Sequence, residues 1–469
     1  MEKIITKIYK LIKESENLII LEERLQLLMY EVFSQLLGEV FNHMNQAIVK
    51  EKQKADWKVE RNDPKTVQFT FGTIRFNHTL MHDNEGHPVY PFDELLGLRK
   101  HQRYSPLVEV KVAELASQNA YREVARTLKE WTAVTISHQT VGKMVKSVGG
   151  AQAKADEELV LDLEEAASLP EAKKVDFLMA EADGVFVRST KRRKNIEVHH
   201  AITYEGWDIN GKRVSLREPK VIMTTQRTDV FWSQVQATTA HRYSLENTQV
   251  VTNSDGGLGY TADKFQGAFS QSRYKVWNQL DSYHISQSLN RTFGVKSDWK
   301  DKVKKAIDDH DMDAFTVCLD TYESTLEDSK QLEKLKAFRW YIGGNWDRIF
   351  DWRNKVKNLP ENARNLGAME SNQRHVSFRM KKRGMHWSYE GAEAMVKIKQ
   401  GILNQTLREV YLKHQHKSAR KQREVKKAVR MSQILHQATR PSIGAKNGRI
   451  SLHAPHSTAM GQLVKSMSL

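Results

Sequence analysis

Two aspartates sit where carboxylates could hold a hard cation. Asp183 lies in EADGVFV and Asp255 in TNSDGG, each just past an apolar run that reads as a buried strand, and each followed by glycine. Hard divalent cations prefer oxygen ligands, and magnesium takes only one or two carboxylates beside waters and substrate phosphate. Two such ions about 3.5–4 Å apart activate an attacking oxygen and stabilise the leaving one in phosphoryl transfer. The glycines would let the backbone turn sharply beyond each strand. One Asp-Gly pair is an ordinary turn signal. Two pairs, each closing a strand in the same alternating run of strands and helices, point to a shared site.

The elements that would position them are legible as changes of period. Residues 174–280 read as strand (VDFLMAEADGVFV), strand (IEVHHAITYEGW), strand (PKVIMTT), helix (229–243), strand (TQVVTNSDGG), helix (about 261–270) and strand (YKVWNQL). Three strands, a helix, a strand, a helix and a strand is the order of an RNase H-like core. His199 and His200 fall in the second strand, where alternation sends them to opposite faces, so they read as structural. Residues 1–55 repeat apolar residues at three- and four-residue steps and read as helix, packed on the body or on a second copy. Residues 56–104 alternate as a small antiparallel sheet. Residues 105–150 read as three short helices, the third running from about His138 to Val148 before Gly149-Gly150, with Ser137 as its cap. An acidic, Ala-rich connector, helical or flexible, follows at 151–173, and the catalytic region spans 174–412 with a helical insertion at about 284–365. From 413 to 469 the chain reads as a basic tail without apolar periodicity, with seven Lys/Arg between His414 and Arg430 against Glu424. The predicted fold class is therefore mixed α/β and multidomain: an RNase H-like core with a helical insertion, preceded by helices, a small sheet and a helix-turn-helix.

Charge indicates the kind of partner. The 469 residues carry 73 Lys+Arg against 57 Asp+Glu, a net charge of +16, which favours a polyanion such as nucleic acid. The single cysteine, Cys318, excludes a disulfide scaffold within the chain and any Cys-based zinc site. No run of 18 apolar residues is present, and the N-terminal stretch mixes Lys and Glu into its apolar positions, so no membrane partner and a cytoplasmic, nucleoid-associated location are expected. Within 105–150, Gln139, Thr140, Lys143 and Lys146 lie on the third predicted helix. As a recognition helix it would bring Gln and Lys to bases and phosphates in the major groove. In RMKKRG, Arg379, Lys381, Lys382 and Arg383 would hold substrate phosphates beside a carboxylate–metal site.

From about residue 57 to 412 the chain resembles bacterial insertion-sequence transposases of the DDE type, specifically the ISLre family, related to Mutator-like transposases. The likeness rests on FGTIRF…DNEGHPVYPFDELLGL, YREVARTL…SHQTVGKMV, EADGVFV, HHAITYEGW, SDGGLGY, LDSYHISQSLNR and GAMESNQRHVSFRMKKRGMHWS. The resemblance implies a catalytic, metal-binding triad of Asp183, Asp255 and Glu370, the last chosen by the resemblance and not by spacing. It implies Mg2+ as cofactor, with Mn2+ as a substitute, and a helical insertion between Asp255 and Glu370. Asp281-Ser282-Tyr283-His284 matches the (Cys or Asp)-x-x-His pattern of Mutator-like enzymes, which would make Asp281 and His284 active-site support. Where family members often have Asp-Gly-Ala after the second strand, this chain has Asp255-Gly256-Gly257. The expected partners are double-stranded DNA, as element ends and as target, and further copies of the chain. The rival expectations are a metal-dependent nuclease of the same fold that cuts without joining, a non-enzymatic DNA-binding derivative, and, on charge alone, an RNA-binding protein.

Overall fold

The computed structural model describes residues 2–166 and 172–415; most of the basic tail lies outside the described residues. Helix α1 (Glu2–Glu14) leads into α2 (Leu18–Lys54), whose N-terminus is capped by Asn17 accepting from the Ile20 amide at 3.0 Å. Strands β1 (Lys58–Phe69) and β2 (Gly72–His82) form an antiparallel hairpin extended by the two-residue β3 (Pro88–Val89), with α3 (Pro91–Leu95) beyond. The alternating apolar face of the hairpin, Val67, Ile74 and Phe76, packs with Phe41 of α2 and Phe92 of α3. The hairpin turn falls at Thr70-Phe71, one step before the Gly72-Thr73 break that alternation suggests.

Helices α4 (Pro106–Ala116), α5 (Tyr121–Trp131) and α6 (His138–Glu165) follow. Ser105 and Ser137 cap α4 and α6, each accepting a backbone amide three residues on. Gly149-Gly150 does not end the third helix: α6 is 28 residues long and takes the helical form of the connector through Glu165. Gly149 is where α6 crosses the last long helix, α14 (Tyr389–Leu403). A Cβ at Gly149 would lie 2.2 Å from the Ala394 carbonyl oxygen, so glycine permits a close helix approach here. The acidic half of α6 is partly internal. Asp156 is buried and receives the ammonium of Lys397, a fully buried lysine of α14, at 2.6 Å. Gln234 accepts from the same ammonium at 2.9 Å. Helix α14 is enclosed from Gly391 to Gly401, and Glu393 accepts from the hydroxyls of Thr224 and Thr225.

The central sheet gives the molecule its mixed α/β class. Strand β4 (Lys173–Lys174) pairs with β10 (Tyr243–Ser244) at one side. The main strands are β5 (Phe177–Arg188), β6 (Asn195–Tyr204), β9 (Lys220–Thr224), β11 (Gln249–Ser254) and β12 (Trp277–Leu280), in spatial order β12-β11-β5-β6-β9. Strand β6 is antiparallel to both of its neighbours, β5 and β9, while β11 and β12 run parallel to β5. A small hairpin, β7 (Trp207–Asn210) and β8 (Arg213–Leu216), interrupts β6 and β9, and α7 (Thr228–Arg242) and α8 (Ala262–Ala268) lie between the later strands. Alternation along β5 divides the core. Met179, Val185 and Val187 join the cluster that includes α4, α6 and α14, whereas Leu178, Ala180 and Ala182 join Phe231 and Phe265 of α7 and α8.

Between β12 and α13 (Ala368–Met380) stands a helical insertion: α9 (Ser282–Phe293), α10 (Asp298–Asp308), α11 (Met312–Glu323) and α12 (Ser329–Gly344), with its own core around Phe293, Phe315, Leu335 and Phe338. After α14 the chain is again helical over 407–415, where Leu407 and Tyr411 are buried and the Tyr411 hydroxyl donates to Glu109. The ordered body therefore reaches past residue 413, where the sequence pattern places the start of the tail. Among the described residues no helix is long and apolar enough to cross a membrane.

The two adjacent glycines of α6 give a paired test. Gly149→Ala must force α6 from α14 and is expected to cost ~1–3 kcal/mol as overpacking. A Cβ at Gly150 would meet nothing within 4 Å, so Gly150→Ala is expected to stabilise by ~0.5–1 kcal/mol through helix propensity. Urea denaturation of both variants checks the opposite signs.

Candidate active site

The sheet register gathers acids from three strands into one row. Asn253 of β11 lies opposite Glu181 of β5, so Asp255 falls level with Asp183. Ser254 lies opposite Leu280 of β12, so Asp281 falls level with Asp255. The Asp281 amide donates to the Ser254 carbonyl at 3.0 Å and carries the ladder to that point. Neighbouring strands are about 4.8 Å apart, so Asp255 stands one strand from Asp183 and Asp281 stands two. Burial, then the charge of Asp255, pushes the Asp183 carboxyl up to about 7; Asp281 adds to the rise, and His284 opposes it. The electrostatics thus join Asp183, Asp255, Asp281 and His284 in one site.

Asp183 is not past its strand. It sits inside β5, which continues to Arg188, and Gly184 pairs with His199 without turning. Glycine is needed there for room. A Cβ at Gly184 would lie 2.5 Å from a Glu197 carboxylate oxygen and 2.9 Å from the Tyr260 hydroxyl. At the second aspartate a turn is real: Gly256 has φ +79° directly after Asp255. The Asp255 side chain accepts from the Gly257 amide at 2.8 Å.

The helical insertion supports this corner. The Tyr341 hydroxyl donates to the Asp255 carbonyl at 2.9 Å, and Arg348 Nη2 donates to Ser254 Oγ at 2.7 Å. Asp281 caps α9 by accepting from the Tyr283 amide at 2.8 Å, which leaves His284 on the first turn of that helix.

Glu370 comes from the first turn of α13 and is exposed. Glu181, fully buried on the same face of β5 as Asp183, fixes that helix. Its carboxylate accepts from the backbone amides of Gly367 (3.1 Å), Ala368 (3.0 Å) and Met369 (3.0 Å), and from the Tyr204 hydroxyl (2.6 Å). One turn beyond Glu370, the Gln373 side-chain amide donates to Asp183. The contact that reaches the aspartate row from α13 is thus made by Gln373, while Glu370 lies exposed one turn earlier on the same helix. Among the described residues no three His, Cys, Asp or Glu side chains converge as ligands of one ion.

The basic residues divide. Gln139, Lys143 and Lys146 lie exposed on the first half of α6, and Lys146 pairs with Glu390 at 2.5 Å. Thr140 is half-buried, and its amide and hydroxyl both engage Ser137 in the helix cap. Lys381, Lys382 and Arg383 are exposed beyond α13. Arg379 is not a surface phosphate contact: it is 2% exposed, lies 5.1 Å from the Trp387 ring centroid, and donates to the Ala116 carbonyl at 3.1 Å, closing the end of α4. His199 and His200 do face opposite sides. His199 stacks on Phe231 and meets the Tyr260 hydroxyl at 2.6 Å, while burial drives fully buried His200 down to about 3.

Sequence pattern alone does not single out Glu181, Gln373, Tyr341 or Arg348. Glu181 carries a usable signal, because two-residue spacing places it beside Asp183 on one strand face. The others lie far along the chain and have no local signature.

Glu181→Gln replaces one accepting oxygen with a donor facing a helix amide. It is expected to cost about 1–3 kcal/mol and to speed amide exchange over 367–373 while β6 and β9 stay protected. Uniform loss of protection would instead make Glu181 a general core residue. A second expectation concerns pH. The carboxyl of Asp183 is raised in the folded state, so stability is lost as pH rises from about 4 to about 7. Asp183→Asn should therefore raise the melting temperature most at pH 8 without divalent cations, with the gain shrinking towards pH 4. A gain independent of pH would contradict the assigned cause.

Comparison with known proteins places these features in a family. The profile of an uncharacterised protein family, UPF0236, matches residues 11–416. A UPF0236 protein "in vanSb 3'region" of Streptococcus gallolyticus is 29% identical over 98% of this chain and 99% of its own length. A UPF0236 protein of Caldanaerobacter subterraneus subsp. tengcongensis, whose name joins eleven TTE labels, is 23% identical over 83% of this chain and 78% of its own. Another from that organism, with four labels, is 24% identical over 75% of this chain and 71% of its own. With its profile matched across most of the length, the chain belongs to the UPF0236 family.

Proposed function

We propose that the protein is a DDE-type transposase that binds the terminal inverted repeats of an insertion sequence, cuts DNA at the element's ends and joins them to target DNA. The observation that carries this reading is the row of Asp183, Asp255 and Asp281 across three adjacent strands. The sheet order β12-β11-β5-β6-β9, three antiparallel strands followed by two parallel ones, supports an RNase H-like core. The exposed start of α6 supports DNA recognition by a helix-turn-helix, and the basic end of α13 supports phosphate contact. A relative whose single name spans eleven labels is what a sequence copied many times would leave.

The residues fit a hard divalent cation, Mg2+ or Mn2+. Their donors are carboxylate oxygens, and burial together with Asp255 opposes ionisation of Asp183, so added positive charge would relieve the site. Asp183 and Asp255 would hold the ion, with Glu370 of α13 as the third acid. The bound cation would supply charge stabilisation at the phosphate and activation of the attacking oxygen. Gln373 holds the orientation of Asp183, and Tyr341 and Arg348 brace the backbone that carries Asp255. His284, on the first turn of α9, is the group beside the row that opposes the rise at Asp183. The chemistry is in-line phosphoryl transfer: water attacks the phosphodiester at the element end and displaces its 3′-oxygen, and the freed 3′-hydroxyl then attacks a target phosphodiester, whose own 3′-oxygen leaves. No covalent enzyme intermediate enters this scheme.

The test is in vitro cleavage and strand transfer on DNA carrying the element's ends, with magnesium. Asp183→Ala, Asp255→Ala and Glu370→Ala are each expected to lower cleavage by at least ~100-fold with near-normal DNA affinity. Wild-type cleavage by Asp255→Ala would sink the site assignment. Cleavage without joining of pre-cut ends would mark a nuclease, and binding without metal-dependent cleavage a non-enzymatic DNA-binding protein.

A further inference from the structure

The loop that carries Asp255 is anchored two strands away. It runs from Ser254, at the end of β11, to Tyr260 and contains Gly256, Gly257 and Gly259, so its backbone alone would hold Asp255 loosely. Hydrogen bonds close it. The Ser254 hydroxyl donates to the Tyr260 carbonyl at 2.7 Å, the Tyr260 amide to the Gly257 carbonyl at 2.9 Å, and Trp232 Nε1 of α7 to the Gly259 carbonyl at 2.9 Å. The Tyr260 side chain then passes over β5 and reaches β6. There its hydroxyl donates to Glu197 at 3.2 Å and meets His199 Nδ1 at 2.6 Å. Tyr260 and His199 are each 4% exposed. Phe231 holds both from α7: its ring stacks on His199 and lies edge-on to Tyr260, with centroids 6.2 Å apart.

The crossing point is the residue after Asp183. Gly184 faces His199 in the register, and the space of its missing side chain is taken by the Tyr260 hydroxyl and the Glu197 carboxylate. The Gly184 amide donates to the Asp183 carboxylate at 2.6 Å. One phenol thus joins the loop of the second aspartate to the strands around the first. Burial, then the charges of Glu197, Asp183 and Asp255, hold that phenol above its usual range, so it remains a donor and feels both aspartates. The two carboxylates repel, since the charge of Asp255 contributes to the rise at Asp183. An untethered glycine-rich loop would relax by swinging Asp255 outward. We infer that Tyr260, held by His199 and Glu197, is a positioning residue that keeps Asp255 within reach of the same divalent cation as Asp183. The inference rests on the ion site proposed above and adds to it the device that sets its width. The phenol is not itself a ligand; it acts through the loop 255–260. Partners that orient ligands in this way typically govern metal affinity by about 10–100-fold.

The test is Mn2+ binding to the full chain near neutral pH without DNA, read from the paramagnetic resonance signal of free Mn2+, for wild type, Tyr260→Phe and His199→Leu. Tyr260→Phe keeps the ring packed on Phe231 and removes only the hydroxyl. His199→Leu removes the imidazole at similar volume. A cooperative melt in EDTA verifies each fold. Each variant is expected to bind Mn2+ about 10–100-fold more weakly than wild type. The double variant should bind no more weakly than either single one, because both break one tether. In cleavage, the Mn2+ requirement should rise by the same factor while the rate at saturating Mn2+ recovers, which separates positioning from chemistry. Wild-type Mn2+ affinity in folded Tyr260→Phe, with only the melting temperature lowered, makes the residue ordinary core and overturns the inference. If Tyr260→Phe does not fold, His199→Leu decides by the same criterion. Asp183→Asn controls for the ion site. A wild type that binds no Mn2+, or binding that Asp183→Asn leaves intact, sinks the ion-site reading and the inference with it; loss in Asp183→Asn alone sinks only the inference.

Discussion

The candidate site depends on one buried carboxylate. Glu181 accepts three consecutive backbone amides at the start of α13 and the Tyr204 hydroxyl, all from inside the sheet. The first amides of a helix have no partner within it, and the helix dipole favours negative charge there. Glycine at 367, with φ +141°, provides no side-chain cap, so a residue from β5 serves instead. The same contact fixes the helix along and around its axis. Gln373 thus reaches Asp183 because Glu181 is two residues away on the same face of the strand.

Much of the frame is readable from period alone. Alternation locates β5, β6, β9 and β11, and Ser137 caps α6 where side-chain chemistry says it should. The Asp183–Asp255 pairing is legible because both follow apolar runs in one alternating segment. Where pattern and structure part, the reasons are identifiable. Gly149-Gly150 looks like a helix stop, but a glycine that admits another backbone can sit mid-helix when the packing it permits exceeds its propensity cost. Asp183-Gly184 looks like a turn, but the glycine makes room for Glu197 and Tyr260. Arg379 shares a basic run with three exposed neighbours, and only the tertiary arrangement shows that Trp387 and the end of α4 enclose it. Glu370 is selected by resemblance, since an exposed acid on a first helical turn has no local mark that separates it from others.

Packing around α14 explains how a helical unit and a sheet became one body. A helix enclosed from Gly391 to Gly401 needs partners for every polar side chain it carries. Lys397 finds Asp156 and Gln234, and Glu393 finds Thr224 and Thr225, so α6, α7 and β9 are each tied to it by a buried polar contact. The unit proposed to read DNA is thereby tied to β9, the edge strand of the sheet that carries the acids. Movement of α6 on bound DNA would be felt at β9, since both are fastened to α14.

The bond between Glu181 and α13 spans 186 residues of sequence, which bears on synthesis. A ribosome-bound chain that has completed β5 holds a carboxylate with no helix to cap, and the sheet cannot close over it cheaply. Strands β11 and β12 must also emerge before Asp255 and Asp281 can line up with Asp183. The acids therefore stay apart until nearly the whole described chain has left the exit tunnel. A product terminated before α13 would therefore leave Glu181, a carboxylate built to lie inside the sheet, without the three amides that satisfy it.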